Sequence, residues 1–156
     1  MTRDHKVHSA GFSLLEVVLV VAILVTFAAM AVPRYGGAVA RHRADLAARR
    51  VVADLVQAQA YAQTTSAACT VSFSAATEQY DLLGVPSFDG NPGDYRVDLS
   101  VDPYEAKLVS VDLGGDSQVV FDGWGMPDSG GTIVLSSGVE QRTIVVDGSS
   151  GQVTIQ

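Results

Sequence analysis

The chain has 156 residues, a formal net charge of −7 and 47% hydrophobic residues, which suits one soluble domain of modest size beside an apolar segment. Its single cysteine, Cys69, excludes an intrachain disulfide. Because Cys69 begins a stretch of alternating apolar residues, we expect a buried, inert thiol.

An apolar run follows a short polar leader at the N-terminus. From Phe12 to Val32 only Ser13, Glu16 and Thr26 are polar. A helix of this length covers roughly 30 Å at about 1.5 Å per residue, which is the thickness of a bilayer's hydrocarbon core. The run therefore predicts a membrane-spanning helix over residues 12–32.

Glu16 is the unusual residue of this run. A carboxylate in a membrane span costs on the order of a few kcal/mol, less near the helix end, so it is normally retained for a function. The alternative is a secretory signal peptide with Ala29-Met30-Ala31 as its cleavage site. That alternative fits poorly, because the run exceeds the ~7–15 apolar residues of a signal core and gives Glu16 no purpose.

The segment Gly11-Phe12-Ser13-Leu14-Leu15-Glu16 and the apolar run after it resemble the class III leader of type IV pilins and type II secretion pseudopilins. The resemblance implies that prepilin peptidase removes residues 1–11 by cutting between Gly11 and Phe12, and then N-methylates Phe12. It also implies a single-pass protein of the inner (cytoplasmic) membrane with its larger part outside the cytoplasm. An inner-membrane assembly platform would later move it into a filament.

Glu16 acquires a role in this scheme. Cleavage leaves a cationic amine on Phe12, which Glu16 of a neighbouring, axially shifted subunit is able to neutralise. Two buried charges that are costly alone become tolerable as a pair, and such a pair favours one axial stagger, as a lone polar group fixes register in coiled coils. The plainer alternative is that Glu16 snorkels to the lipid headgroups.

Residues 33–63, which we call the stem, have the pattern of a continuing helix. They are rich in good helix formers, and their apolar residues recur at three- and four-residue steps. These apolar residues are Leu46, Val52, Leu55, Val56 and Tyr61. Pro33 and the Gly36-Gly37 pair predict a kink, so we expect one helix over residues 12–63 that is kinked near Pro33.

Charge is distributed unevenly along the chain. Residues 34–50 hold five arginines against Asp45, whereas three cations face thirteen acids after residue 60. The arginines are able to meet anionic headgroups, acidic neighbouring subunits or solvent. By the positive-inside rule they place the following domain in the cytoplasm, but we give precedence to the orientation that the leader implies.

Residues 64–156, which we call the head, change to a period of two, and turn residues separate the apolar runs. This pattern predicts an antiparallel β-rich domain after the helix, and hence an α+β fold. The expected strands contain Val71 and Phe73, Tyr80 and Leu82, and Val97 to Val101, followed by residues 105–113, 118–122, 132–136, 142–147 and 152–156.

The C-terminal third contains Phe121-Asp122-Gly123, Gly131–Leu135, Arg142–Val146 and Ser150-Gly151-Gln152-Val153. In these runs it resembles the GspH/FimT group of minor pilins and pseudopilins, in which a long helix precedes a β-rich head. Some members of that group bind DNA through basic residues near the C-terminus. Here Gln152 stands where an arginine is common, and residues 152–156 contain no cation, so we do not expect nucleic acid as a partner.

Catalytic and metal-binding patterns are missing from the sequence. His42 lies on the charged stem rather than in a Ser-His-Asp set, ligand groups for zinc are lacking, and there is no glycine-rich phosphate loop. In the loop Asp89–Asp94, Pro92 and the absence of a twelfth-position glutamate favour an ordinary turn over a calcium site. We expect no enzymatic activity, cofactor or metal, and we expect Trp124 to cap the core rather than form an exposed contact.

These features predict a non-catalytic minor pilin or pseudopilin subunit of a type II secretion or type IV pilus-like filament. Its expected partners are prepilin peptidase, other pilin or pseudopilin subunits, the inner-membrane assembly platform and, before assembly, membrane lipid. The alternative is a membrane-anchored extracytoplasmic binding module, including a DNA-uptake minor pilin.

Overall fold

The computed structural model describes residues 13–86 and 94–156. In this part of the chain one helix, α1, precedes eight strands that form two four-stranded antiparallel sheets. The predicted α+β class is confirmed. The elements are α1 Leu14–Thr65, β1 Cys69–Ser74, β2 Gln79–Pro86, β3 Asp94–Asp98, β4 Lys107–Leu113, β5 Gln118–Phe121, β6 Gly131–Ser137, β7 Glu140–Val146 and β8 Val153–Ile155.

The chain divides into two units, Met1–Gly36 and Gly37–Gln156. In the first unit the large apolar side chains from Leu14 to Phe27 are all exposed, so this part of α1 buries no face. Among the described residues, no helix has both the length and the apolarity needed to cross a membrane. The span predicted over residues 12–32 stays a prediction.

In the second unit, α1 presents an alanine-rich face to the sheets. Apart from the adjacent pair Ala47 and Ala48, the buried residues of this face follow one another at steps of three and four, which keeps them on one side of the helix. They are Ala44, Ala47, Ala48, Val51, Leu55, Ala58 and Ala62. The predicted burial of Leu55 is confirmed, whereas Val56 is 48% exposed because the next residue along a helix is rotated by about 100°.

The helix ends at Thr65, slightly beyond the predicted end at residue 63. Ser66 takes a left-handed backbone conformation with φ 51°, and the Ala67 N–H donates to the Ala62 carbonyl at 3.3 Å. This is the usual way in which a helix closes its last turn. At the other end of the stem the helix continues through Pro33, so the kink stays a prediction.

The first sheet has the strand order β3-β2-β1-β5. On β1 the alternate residues Cys69, Val71 and Phe73 are buried, as expected for a strand with one face on the core. Across the pair with β2, Val71 lies opposite Leu82 and Phe73 opposite Tyr80. The rings of Phe73 and Tyr80 contact each other with their centroids 5.4 Å apart.

The second sheet has the strand order β4-β6-β7-β8. Its central pair places Ile133 opposite Ile144, and both side chains are buried in the core that the two sheets share with α1. On β4 the register shifts between Leu108 and Ser110. Val109 is the unpaired extra residue and is 52% exposed. The side chains after it change faces, so Val111 packs against the core and Leu113 is buried.

Several strand limits differ from the sequence prediction, among them those of β3 and β4. β3 ends at Asp98, so Leu99 and Val101 lie beyond it, and only Leu99 remains buried. β4 begins at Lys107 rather than at Glu105. The Glu105 N–H instead donates to the Val101 carbonyl at 3.0 Å, and its φ of 40° is incompatible with an extended strand.

Candidate assembly site

Glu16 lies in the first turn of α1. Its side chain is exposed and borders a shallow surface groove of about 260 Å³ with Val17, Val20 and Val21. Between residues 13 and 29 it is the only ionisable side chain. A carboxylate in the first helical turn is stabilised by the helix dipole, so the position suits a negative charge even though the surroundings are apolar.

The helix surface around Glu16 is apolar on every side. The side chains of Leu14 and Leu15 are 85% and 74% exposed, and that of Phe27 is 68% exposed. A continuous apolar surface of this kind is characteristic of segments that contact lipid or other helices. The arrangement places one carboxylate on a surface made for apolar contact.

The remaining predicted site residues lie outside what the structure describes in full. Gly11 and Phe12 are not among the described residues, so cleavage and N-methylation stay predictions. Pro33 lies within α1.

Among the described side chains, three ion pairs attach the stem to the head. Arg43 contacts Glu105 at 2.7 Å, Arg142 of β7 contacts Asp45 at 2.5 Å, and Arg41 contacts Glu140 at 3.1 Å. The hydrogen bond from Arg142 holds the pKa of Asp45 below its ordinary value. Arg41 and Arg43 therefore already have acidic partners within their own head, whereas the sequence left lipid, neighbouring subunits and solvent as alternatives.

A buried polar cluster joins the stem, around Asp54, to the first sheet. Asp54 is 3% exposed; its Oδ2 accepts hydrogen bonds from the Tyr80 hydroxyl at 2.5 Å and from Arg50 Nε at 3.0 Å. Burial raises the pKa of Asp54, and the two donors offset part of that rise. Burial, together with the Asp54 charge, also raises the pKa of Tyr80.

A surface cavity of about 620 Å³ lies beside this cluster, between the stem and β3. Arg50 and Asp54 line it from the helix, and Tyr95 and Tyr104 line the opposite side. The Arg50 guanidinium lies 5.7 Å from the centre of the Tyr95 ring, within the range of a cation–π contact. One signal for this cluster is present in the sequence: Asp54 stands among the otherwise apolar residues of the helix face.

The prediction for Trp124 is wrong, since its side chain is 83% exposed. The Trp124 backbone N–H donates to Asp122 Oδ1 at 2.9 Å, and the Trp124 backbone carbonyl accepts from Gln63 Nε2 at 3.1 Å. Gly123 packs against the Ser66 backbone so closely that a Cβ would lie 3.0 Å from it. The turn therefore docks on the end of α1 through its backbone, and the indole ring projects into solvent.

Neither a metal-binding group nor an accessible thiol is present among the described residues. Among them, no group of three or more His, Cys, Asp and Glu side chains is arranged to hold a metal. Residues 87–93, which include most of the Asp89–Asp94 loop, lie outside the described residues. Cys69 is buried and free, as expected, and burial raises the pKa of its thiol.

A long helix that precedes and packs on two antiparallel sheets, with a carboxylate near the start of an apolar helical surface, defines a pilin-type architecture. The family model described as type II transport protein GspH matches residues 47–151. This match covers more than half of the chain, and the protein belongs to that family.

Solved structures show the same fold. Two crystal forms of the type IV minor pilin FimU of Pseudomonas aeruginosa match with TM-scores of 0.53 and 0.52, at 13% sequence identity in both cases. The matches cover 74% and 72% of this chain and 90% and 91% of the FimU chains. The comparison with curated proteins gave no match.

Proposed function

We propose that the protein is a non-catalytic minor pilin or pseudopilin subunit that assembles into a filament through its N-terminal helix. The observation that carries the proposal is Glu16, the only ionisable side chain between residues 13 and 29, on a helix whose apolar side chains are all exposed. Membership of the GspH family and the fold shared with FimU support it.

Processing precedes assembly in this proposal. Prepilin peptidase cuts between Gly11 and Phe12 and N-methylates Phe12, which makes residues 1–11 a leader and leaves a mature chain that begins with the apolar run. The register of glycine, phenylalanine, glutamate and the run supports this step. Residues 12–32 then form the membrane and filament-core helix, residues 33–63 its amphipathic extension, and residues 64–156 the head.

Before assembly, the mature protein resides in the inner membrane as a single-pass protein with its head outside the cytoplasm. Lipid covers the apolar surface of α1 until the assembly platform transfers the subunit to the filament. There, helices of other subunits replace the lipid contacts, and Glu16 pairs with the amine of Phe12 in a neighbour. Pairing removes the cost of leaving either charge alone in apolar surroundings.

Replacement of Glu16 tests the proposal directly. In cells that contain a prepilin peptidase and the assembly machinery, Glu16→Ala should insert into the membrane but fail to enter filaments, because the amine of its neighbour loses its partner. Thr26→Ala is the matched control, since the Thr26 hydroxyl donates to the Ile23 carbonyl of its own helix. Normal incorporation of Glu16→Ala would refute the assembly role.

Mass spectrometry of the mature protein tests processing separately. The expected N-terminal residue is methylated Phe12. An intact Met1, or a chain that starts at Val32, contradicts pilin-type processing and favours an unprocessed anchor or a signal peptide.

The cavity beside Arg50 and Asp54 favours a second function, that of a membrane-anchored binding module. The Glu16→Ala variant separates the two functions, because a binding module needs its head and its anchor but not Glu16. Ligand binding by the head that survives Glu16→Ala, together with the absence of the protein from filaments in the wild type, would favour this alternative.

A further inference from the structure

The hairpin between β6 and β7 ends in an exposed valine. Val139 is 91% exposed, and the preceding Gly138 makes the turn with φ 58°. A Cβ on Gly138 would lie 3.4 Å from the Ala40 Cβ, so the hairpin tip lies beside the first turn of α1 in the second unit. An apolar side chain is therefore presented at the end of the head where the chain enters.

The charges around this tip balance one another. We define the base of the second unit as the charged residues near the tip and their partners: Arg41, Arg43, Asp45, Glu78, Glu105, Lys107, Glu140 and Arg142. These are four cations and four acids. In the rest of the unit, the charged side chains that the structure describes are three cations and nine acids.

The difference in charge between the base and the rest of the second unit affects which part is able to approach a negatively charged surface. Anionic lipid repels carboxylates that come within about a Debye length of it, roughly 8 Å at physiological salt. The base reduces this repulsion, because three of its four acids, Asp45, Glu105 and Glu140, are paired with arginines. The fourth, Glu78, accepts a hydrogen bond from the Leu108 backbone N–H. The Arg41 side chain remains 64% exposed beside Glu140. The base is the part of this acidic unit that is best suited to meet lipid phosphates.

The base is also bound to stay near a membrane that holds the apolar segment. Arg41 follows Val32 by nine residues, a stretch that is at most about 32 Å long even when fully extended. Whatever the orientation of the head, the base therefore remains within reach of the headgroup layer.

We propose that the base docks on the lipid surface before assembly, with the Val139 side chain in the interfacial layer and Arg41 and Lys107 facing phosphate groups. The inference rests on the proposed membrane residence of the subunit. Docking would hold the head down on the bilayer, and extraction into a filament would release it.

Depth-dependent fluorescence quenching tests the proposal. The full chain, with Cys69→Ala as background, is placed in nanodiscs of equal parts phosphatidylcholine and phosphatidylglycerol that carry a nitroxide at the headgroup or in the acyl chain. Single fluorophores are attached through Val139→Cys, through Trp124→Cys and through Val20→Cys. Trp124 is the matched control, because it is similarly exposed but lies at the Gln63 end of α1.

The expected result is quenching at position 139 by the headgroup nitroxide that is several-fold stronger than at position 124. Lys107→Glu should reduce the quenching at position 139 several-fold, because it adds a carboxylate next to the lipid. Equal, weak quenching at positions 139 and 124, or no effect of Lys107→Glu, would overturn the docking.

The label at position 20 separates this failure from failure of the proposed function. Strong quenching at position 20 by the acyl-chain nitroxide, with none at position 139, rejects the docking of the base alone. Absence of quenching at position 20 rejects the membrane residence on which both proposals depend.

Discussion

The Tyr80 hydroxyl donates a hydrogen bond to Asp54 Oδ2 at 2.5 Å, inside the core, and so connects the stem helix to β2. Neither residue has more than a few per cent of its surface exposed. A buried carboxylate is tolerated only when donors satisfy it, and here the donors are this hydroxyl and Arg50. The pair fixes the rotation of α1 against the first sheet, because Asp54 reaches Tyr80 from only one face of the helix.

Removal of the hydroxyl should therefore be costly. Tyr80→Phe leaves Asp54 with one donor fewer, and we expect the free energy of unfolding to fall by about 1–3 kcal/mol. Denaturant unfolding of the full chain measures the change. Tyr104→Phe is the control, since its hydroxyl makes no hydrogen bond to a described residue, and it should change stability by less. Equal effects of the two variants would show that the Asp54 contact contributes nothing specific.

The pKa of Asp54 predicts a pH dependence of stability. Burial raises it above the ordinary value of 3.8, so the folded state favours the protonated form. The contribution of this group to stability is present at acidic pH and is lost as the pH rises through the raised pKa. Asp54→Asn should thus gain stability relative to wild type as the pH rises.

Asp98 provides a control of opposite sign. The Ser100 hydroxyl and Gln79 lower its pKa, so its contribution is present above the ordinary value and is lost as the pH falls through the lowered pKa. Asp98→Asn should lose stability relative to wild type near neutral pH but not in strong acid. Urea unfolding across this range measures both variants, and parallel pH profiles for the two would contradict the assigned directions.

Much of the fold follows from local patterns in the sequence. The periods of two and of three to four residues predict the strands and the helix, because each element exposes one face to a shared core. The bulge at Val109, which turns Val111 and Leu113 toward the core, does not follow, since it depends on pairing with β6 rather than on β4 itself. A period of two continued through Leu108 cannot reveal where an extra residue enters.

The exposure and pairing of side chains that depend on tertiary contacts also could not be predicted from the sequence. The exposure of Trp124 follows from Gly123 docking on Ser66 and from Gln63 reaching the Trp124 carbonyl, and these partners are distant in sequence. Aromatic side chains are usually buried, so a core position was the reasonable expectation. The pairing of Asp54 with Tyr80 likewise joins residues on different elements.

The Trp124 turn makes a prediction about Gly125. Its φ is 80°, and a Cβ there would lie within contact distance of the Gln63 side chain, including the nitrogen that donates to the Trp124 carbonyl. Gly125→Ala should cost about 1–2 kcal/mol of strain and a further ~1 kcal/mol for the displaced hydrogen bond. Thermal or urea unfolding measures the total.

Gly115→Ala is the matched control for this change. Its φ is 100° and a Cβ would meet open space, so only the backbone strain applies. In addition, Gln63→Ala should make Gly125→Ala less costly, because it removes the obstructing side chain. A cost of Gly125→Ala no larger than that of Gly115→Ala would contradict the role of Gln63.

Cys69 reports on the opening of the core. It is 1% exposed, and burial raises the pKa of its thiol, so both access and thiolate formation are suppressed. A disulfide reagent should label the native chain far more slowly than the urea-unfolded chain, by a factor that tracks the stability of the head. Rapid labelling of the native protein would show that the β1 end of the core opens locally.

The ion pairs of residues 41–46, which we call the lower stem, predict that this segment of α1 detaches from the sheets first. Around Arg41 to Asp45 the buried helix face offers alanine rather than larger side chains, so attachment of this segment depends on Arg142, Arg43 and their acidic partners. Arg142→Gln should increase amide hydrogen exchange over residues 41–46 several-fold while residues 51–58, held by Val51 and Leu55, remain protected. Added salt should weaken the attachment of the same segment in the wild type, because partly exposed ion pairs are screened.

Arg49→Gln is the control, since Arg49 is exposed and makes no ion pair with a described residue. If amide exchange over residues 41–46 rises equally in both variants, the net positive charge of the stem holds this segment in place, and not the contact between Arg142 and Asp45.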